Sequence, residues 1–172
     1  ELDPAIDRAT TYFGSYAGRG NIPYGEGAPG DNGFENNGKT GAAAVAFSLL
    51  GNHTDKAIFS SKMAAAEFYY RQPGHTGAFF NQFWAPLGAN VAGEEAAAAH
   101  FARIRWQLDL NRRWDGGFEY NTVGGDGNAG GVAQWNSFYM STAALMTYAL
   151  PLRQLTLTGR DQNPALWQDS AG

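Results

Sequence analysis

Six apolar segments of this chain alternate between two kinds, and that alternation limits the possible folds more than any other feature. Residues 3–16 place Ile6, Ala9, Phe13 and Tyr16 at spacings of three and four. That is the signature of a helix with one apolar stripe, about 14 residues long. Asp3-Pro4 opens it, with a capping Asp and Pro at the first helical position. Residues 41–50 (GAAAVAFSLL) differ in being apolar nearly all round, which predicts a helix buried on every side. Thr54 caps a third segment, striped by Phe59, Met63, Ala66 and Tyr70. Residues 79–91 are again apolar all round, with a kink or break expected at Pro86. Glu94 and Glu95 open a fifth segment and Arg112-Arg113 close it, each charge suited to its end of the helix dipole. The stripe of this fifth segment is Ala97, Phe101, Ile104 and Leu108. Residues 137–150 complete the series as a third all-round apolar helix before Pro151.

An outer helix needs one apolar stripe, whereas an inner helix is flanked on both sides. The order therefore predicts an all-α domain of three outer–inner hairpins in a curved double layer over residues 1–151. A C-terminal tail, 152–172, carries a short alternating stretch at 155–158 that reads as strand-like. No segment before the tail has a period of two comparable in strength. With 172 residues, 44% of them hydrophobic, one domain with a substantial core is expected.

Glycine supplies 23 residues, clustered near 14–41, 74–93 and 116–131, between the helical segments. The clusters carry an internal repeat. Asp31-Asn32-Gly33-Phe34-Glu35-Asn36 matches Asp115-Gly116-Gly117-Phe118-Glu119-Tyr120-Asn121, with one residue inserted before the last Asn. The two aspartates stand 84 positions apart, and midway between them begins Gly74-His75-Thr76-Gly77. A period of about 42 residues suits a helical hairpin with its loops. Each copy precedes an all-round apolar segment, which puts the glycine turns at one rim of the layer.

These residues resemble a known superfamily. Asp115-Gly116-Gly117-Phe118, followed by Ser141-Thr142-Ala143-Ala144-Leu145, looks like the repeat of the terpenoid cyclase and protein prenyltransferase α/α-toroids. There an acidic-Gly-Gly-aromatic turn leads into an Ala-rich inner helix. The longer string of Asn32 to Gly41, Gly74 to Gly77 and Arg112 to Phe118 is similar to a bacterial family of uncharacterised toroid-like proteins. The similarity spans roughly residues 12–160. It implies that the three hairpins form half of an α/α-toroid, leaving open ends for a protein partner or a second copy to cover. The Asp-x-Asp-Asp run of the class II cyclases is absent. Prenyltransferase zinc ligation needs a cysteine, and the chain has none. No metal and no cofactor is expected.

Composition excludes other classes. Net charge is −4 and no Lys/Arg cluster interleaves with aromatics, which argues against nucleic acid. No apolar run approaches the roughly 20 residues of a membrane-spanning helix. The string from Gly33 to Thr40 fits the phosphate-loop pattern formally, but no buried strand precedes it, so the repeat explains it better. The start at Glu1, without a signal segment, fits a mature, processed or excised piece. The absence of cysteine leaves the compartment undecided, with export to the periplasm or the outside slightly favoured.

The candidate chemistry lies on the turns and on the second inner helix. His75 occupies the position where the other repeats carry an acid, in a glycine-flanked turn, and an imidazole there suits acid–base work near neutral pH. Asp115 and Glu119 are its candidate catalytic partners. Equally, an Asp beside a helix start satisfies free amides. Glu35 and Glu119 occupy matching positions and would form a glycosidase pair if they faced each other, at roughly 6.5–9.5 Å for inversion or about 5 Å for retention. Asn81 and Trp84 would hydrogen-bond and stack a sugar, while Arg113, Trp114 and Tyr120 extend that surface. The same side chains read as turn and core residues in a non-catalytic scaffold. The expected ligand is a carbohydrate or similar polar molecule. A scaffold or interaction subunit is the alternative, and isoprenoid chemistry would follow from the fold alone.

Overall fold

The structure is a computed structural model that describes residues 2–23, 36–66, 79–119 and 136–150. Among these residues it is all-α, with six helices: α1 Asp3–Gly14, α2 Asn36–Leu50, α3 Thr54–Ala66, α4 Phe79–Asn90, α5 Glu94–Asn111 and α6 Asn136–Ala149. The one pairing of extended backbone among them is an isolated antiparallel bridge between Arg112 and Phe118. Residues 152–172, and with them the expected strand-like stretch, lie outside the described residues.

The ends of the helices differ in detail from the sequence reading. Leu2, not Asp3, occupies the cap of α1, and no side chain caps it; Asp3 and Pro4 fall in its first turn. At α3 the Ala57 amide donates to the His53 carbonyl, so the capping position belongs to His53 and Thr54 is already helical. The His53 ring instead meets Phe47 edge-on, at 5.7 Å between centroids. α4 runs unbroken through Pro86, which is buried. An internal Pro costs about 3 kcal/mol in an isolated helix. Here tertiary packing offsets that cost, since α4 touches α2, α3, α5 and α6.

α2, α4 and α6 lie in sequence beside one another, while α3 packs on α2 and α4 and also meets α5. The α2–α4 contact is the tightest. A Cβ added to Gly88 would fall on the backbone of Gly41, and one added to Gly41 would fall on the Trp84 carbonyl. The main core forms around that crossing from Ala43, Ala44, Val45 and Phe47 of α2, Leu87 of α4 and Val91 just beyond it, and Ala57, Tyr16 and Ile22. A second cluster joins Ile104 and Leu108 of α5 to Phe118, Met140 and Ala144. Burying one side chain such as Phe47 contributes about 1.5–3 kcal/mol.

The inner helices are not enveloped on every side. The middle of α4, from Ala85 to Ala89, is buried throughout, but Leu49 and Leu50 of α2 and Leu145 of α6 are exposed. α4 has a helix on each flank, whereas among the described residues α2 and α6 each end the row. The outer stripes also shift. α3 buries Ala57, Ser60, Ser61, Ala64 and Ala65, with Phe59 and Met63 half-buried and Ala66 exposed. Small residues let α3 approach both α2 and α4. Ser61 uses the contact: its Oγ donates to the Ala89 carbonyl at 2.9 Å and accepts from the Ala92 amide at 2.8 Å, closing the end of α4. α1 buries none of its residues, and its stripe of Ile6, Ala9 and Phe13 is exposed. Only Tyr16, just beyond it, enters the core.

The segment after α1 is held by polar contacts. Thr40 of α2 accepts the Ile22 amide at 3.1 Å and donates to Asn21 Oδ1 at 3.4 Å. Lys39 Nζ donates to the Pro23 carbonyl at 3.4 Å, and burial pushes this ammonium below its usual 10.5.

Candidate functional site

α5 ends at Asn111, and the chain reverses at once through Arg112-Arg113-Trp114-Asp115-Gly116-Gly117-Phe118. The turn is closed by backbone bonds: Gly116 N–H to Arg113 O at 3.1 Å, Arg113 N–H to Gly117 O at 2.8 Å, and Glu119 N–H to Asn111 O at 2.8 Å. Gly116 has φ +88°, a left-handed conformation that favours glycine. Asp115 holds the turn with both oxygens. Oδ1 accepts the Gly117 amide at 3.0 Å, and Oδ2 lies 3.2 Å from Arg113 Nη2. Ser141 of α6 fastens the returning arm by accepting the Phe118 amide on Oγ at 3.0 Å, and Phe118 fills the second core cluster.

What this bracing presents is Trp114, whose side chain is 95% exposed. Ordering a flexible loop on binding costs free energy, and a hydrogen-bonded turn lowers that cost. Arg112, Asp115 and Glu119 on the same turn are exposed as well. Arg113, Trp114, Asp115 and Glu119 of the expected site thus gather on one turn. Tyr120, Glu35 and His75 lie outside the described residues.

Asn81 and Trp84 are not on that turn. Asn81 is fully buried and its Oδ1 accepts the Gly38 amide at 2.8 Å, tying the start of α4 to the start of α2. Trp84 is half-buried against the main core, 5.2 Å edge-on from Phe83. These contacts match the reading in which inner-helix amides and aromatics serve turns and packing.

On its inward side α5 agrees in part with the expected stripe. It buries His100, Ile104, Gln107, Leu108 and Asn111, so polar groups alternate with apolar ones along the helix face nearest the core. Of that stripe, Ile104 and Leu108 are buried, while Ala97 and Phe101 are half-buried. The spacing 100, 104, 107, 111 was available in the sequence, but three of its four residues are polar. His100 and Gln107 meet Asn81 and Gln82 of α4 and Thr147 of α6 around a concavity of about 320 Å³, mouth included. Among the described residues, no group of three or more His, Asp or Glu could hold a metal ion, and no helix is long and apolar enough to cross a membrane.

Fold and turn together define a small all-α domain with a braced Asp-Gly-Gly-Phe turn directly after α5. The chain belongs to the family described as a domain of unknown function, DUF6288, which it matches over residues 1–159. Comparison with curated proteins and with solved structures gives no match.

Proposed function

We propose that this domain is a binding module whose 112–119 turn takes a carbohydrate or similar polar ligand, with the Trp114 indole as its stacking surface. The observation that carries the reading is a tryptophan left almost wholly in water by a turn that is held by its backbone bonds, by Asp115 with Arg113, and by Ser141. An indole held in water by a braced turn offers a flat apolar face on which a sugar ring can stack at little ordering cost. Arg112 and Glu119 beside it supply a donor and an acceptor for hydroxyls. Binding is favoured over acid–base catalysis by Asp115, because both of its oxygens already hold the turn.

In the same reading the α2, α4, α6 row with α3 and α5 against it is one arc of a toroid built from helical hairpins. The contact order of the helices supports this, as does the Asp-Gly-Gly-Phe turn entering α6's side of the core.

The test is a glycan array followed by titration of the best ligand. Trp114→Ala should weaken binding by roughly tenfold or more while leaving thermal stability unchanged. Absence of any glycan bound by the wild-type chain, or equal binding by Trp114→Ala, overturns the reading.

A second reading, an interaction subunit of a larger assembly, is favoured by a different observation. Leu49 and Leu50 of α2 and Leu145 of α6 are exposed, on the two helices that end the row among the described residues. Large apolar side chains left so open are the raw material of protein contacts.

A further inference from the structure

The concavity between α4, α5 and α6 is partly open and has room for about one water molecule. Its lining is unusual for a helical core, since Asn81, Gln82, His100, Gln107 and Thr147 share it with Ala85, Ile104, Leu108, Ala143 and other apolar side chains. Gln107 is only 6% exposed, and its Nε2 is fully enclosed yet donates to no group among the described residues. Gln82 Nε2 is in the same position on the facing helix. A buried amide donor without an acceptor costs on the order of 1–3 kcal/mol, and since both residues line the same small space, one acceptor in it would serve both.

Thr147 narrows the identity of the occupant. Its hydroxyl hydrogen goes to the Ala143 carbonyl at 2.9 Å, which leaves Oγ1 able only to accept. The residues lining the space can therefore offer it two donors, from α4 and α5, and an acceptor from α6. An anion can take the two donors but is repelled by the Thr147 lone pairs. A neutral oxygen that accepts twice and donates once satisfies all three.

We propose that this cavity is a built site for one internal water molecule that accepts from Gln82 and Gln107 and donates to Thr147, joining the three helices. The chemistry is independent of the rim turn and of any ligand bound there.

The experiment counts long-lived internal waters by water-oxygen magnetic relaxation dispersion on the full chain, comparing wild type with Gln107→Met. Methionine has nearly the same length and removes the donor. The expected result is that the variant loses the contribution of one internal water. Equal dispersion amplitudes overturn the proposal, whatever the variant's stability. Should Gln107→Met fail to fold, Thr147→Val removes the acceptor with almost no change of shape, and the same loss of one water is expected. Side-chain amide resonances of Gln82 and Gln107 that move with chloride, with no change in water count, assign the site to an anion and equally overturn it.

Discussion

Gly41 and Gly88 meet backbone to backbone where α2 crosses α4, so close that a Cβ on Gly88 would overlap the Gly41 main chain. Helix backbones that touch leave no room for a side chain to swing aside. The glycines are therefore a condition of the crossing and not merely tolerated in it.

Gly88→Ala should destabilise the domain by about 1–3 kcal/mol in urea unfolding, as overpacking does. The sign is informative, because alanine is the better helix former by about 1 kcal/mol and would stabilise an exposed site. Gly41→Ala should cost a similar amount. The double variant should cost less than the sum of the two, since the first methyl already forces the helices apart.

Ser61 makes both of its bonds to the end of α4 from within the small-residue face of α3. Ser61→Ala strands the Ala92 amide and the Ala89 carbonyl, and should cost about 1–3 kcal/mol by the same urea measurement. A loss under about 0.5 kcal/mol would mean that the end of α4 finds other partners.

Asp115 separates turn-holding from charge. Asp115→Asn keeps an oxygen for the Gly117 amide and gives up only the half-exposed pair with Arg113, worth about 0–1 kcal/mol. Asp115→Ala also loses the turn bond, about 1 kcal/mol further. Equal losses in the two variants would assign the stabilisation to the ion pair.

Lys39 gives the pH dependence a definite sign. Burial lowers its folded value below 10.5, so the fold favours the neutral amine and carries a penalty while Lys39 is protonated in both states. That penalty is fully present below the folded value and is lifted as pH rises from there towards 10.5. The stability difference between wild type and Lys39→Met should therefore shift in favour of wild type across that alkaline window. A difference independent of pH would show that Lys39 feels no burial.

Much of the fold was legible because helical periodicity is written locally. The alternation of striped and all-round apolar segments located all six helices, and the capping and charge signals placed most ends within a residue or two. The faces were harder. On α5 the stripe caught Ile104 and Leu108, but the other inward residues, His100, Gln107 and Asn111, are polar, so hydropathy completed the face with Ala97 and Phe101, which are only half-buried. On α3 the buried face is Ala and Ser, which carry little hydropathic signal, while the eye is drawn to Phe59 and Met63. The Gly41–Gly88 crossing was beyond reach, because nothing local distinguishes a glycine pressed against a neighbour from one in a turn. At the rim, the Asp-Gly-Gly-Phe string announced the turn, yet whether Trp114 faced the core or the water depended on how Phe118 and Ser141 fixed the returning arm.

α4 carries no charged residue and is surrounded by the four helices it touches. It cannot come loose without stripping its neighbours together, so the domain's cooperativity is concentrated in this segment, and unravelling starts at the periphery, with α1.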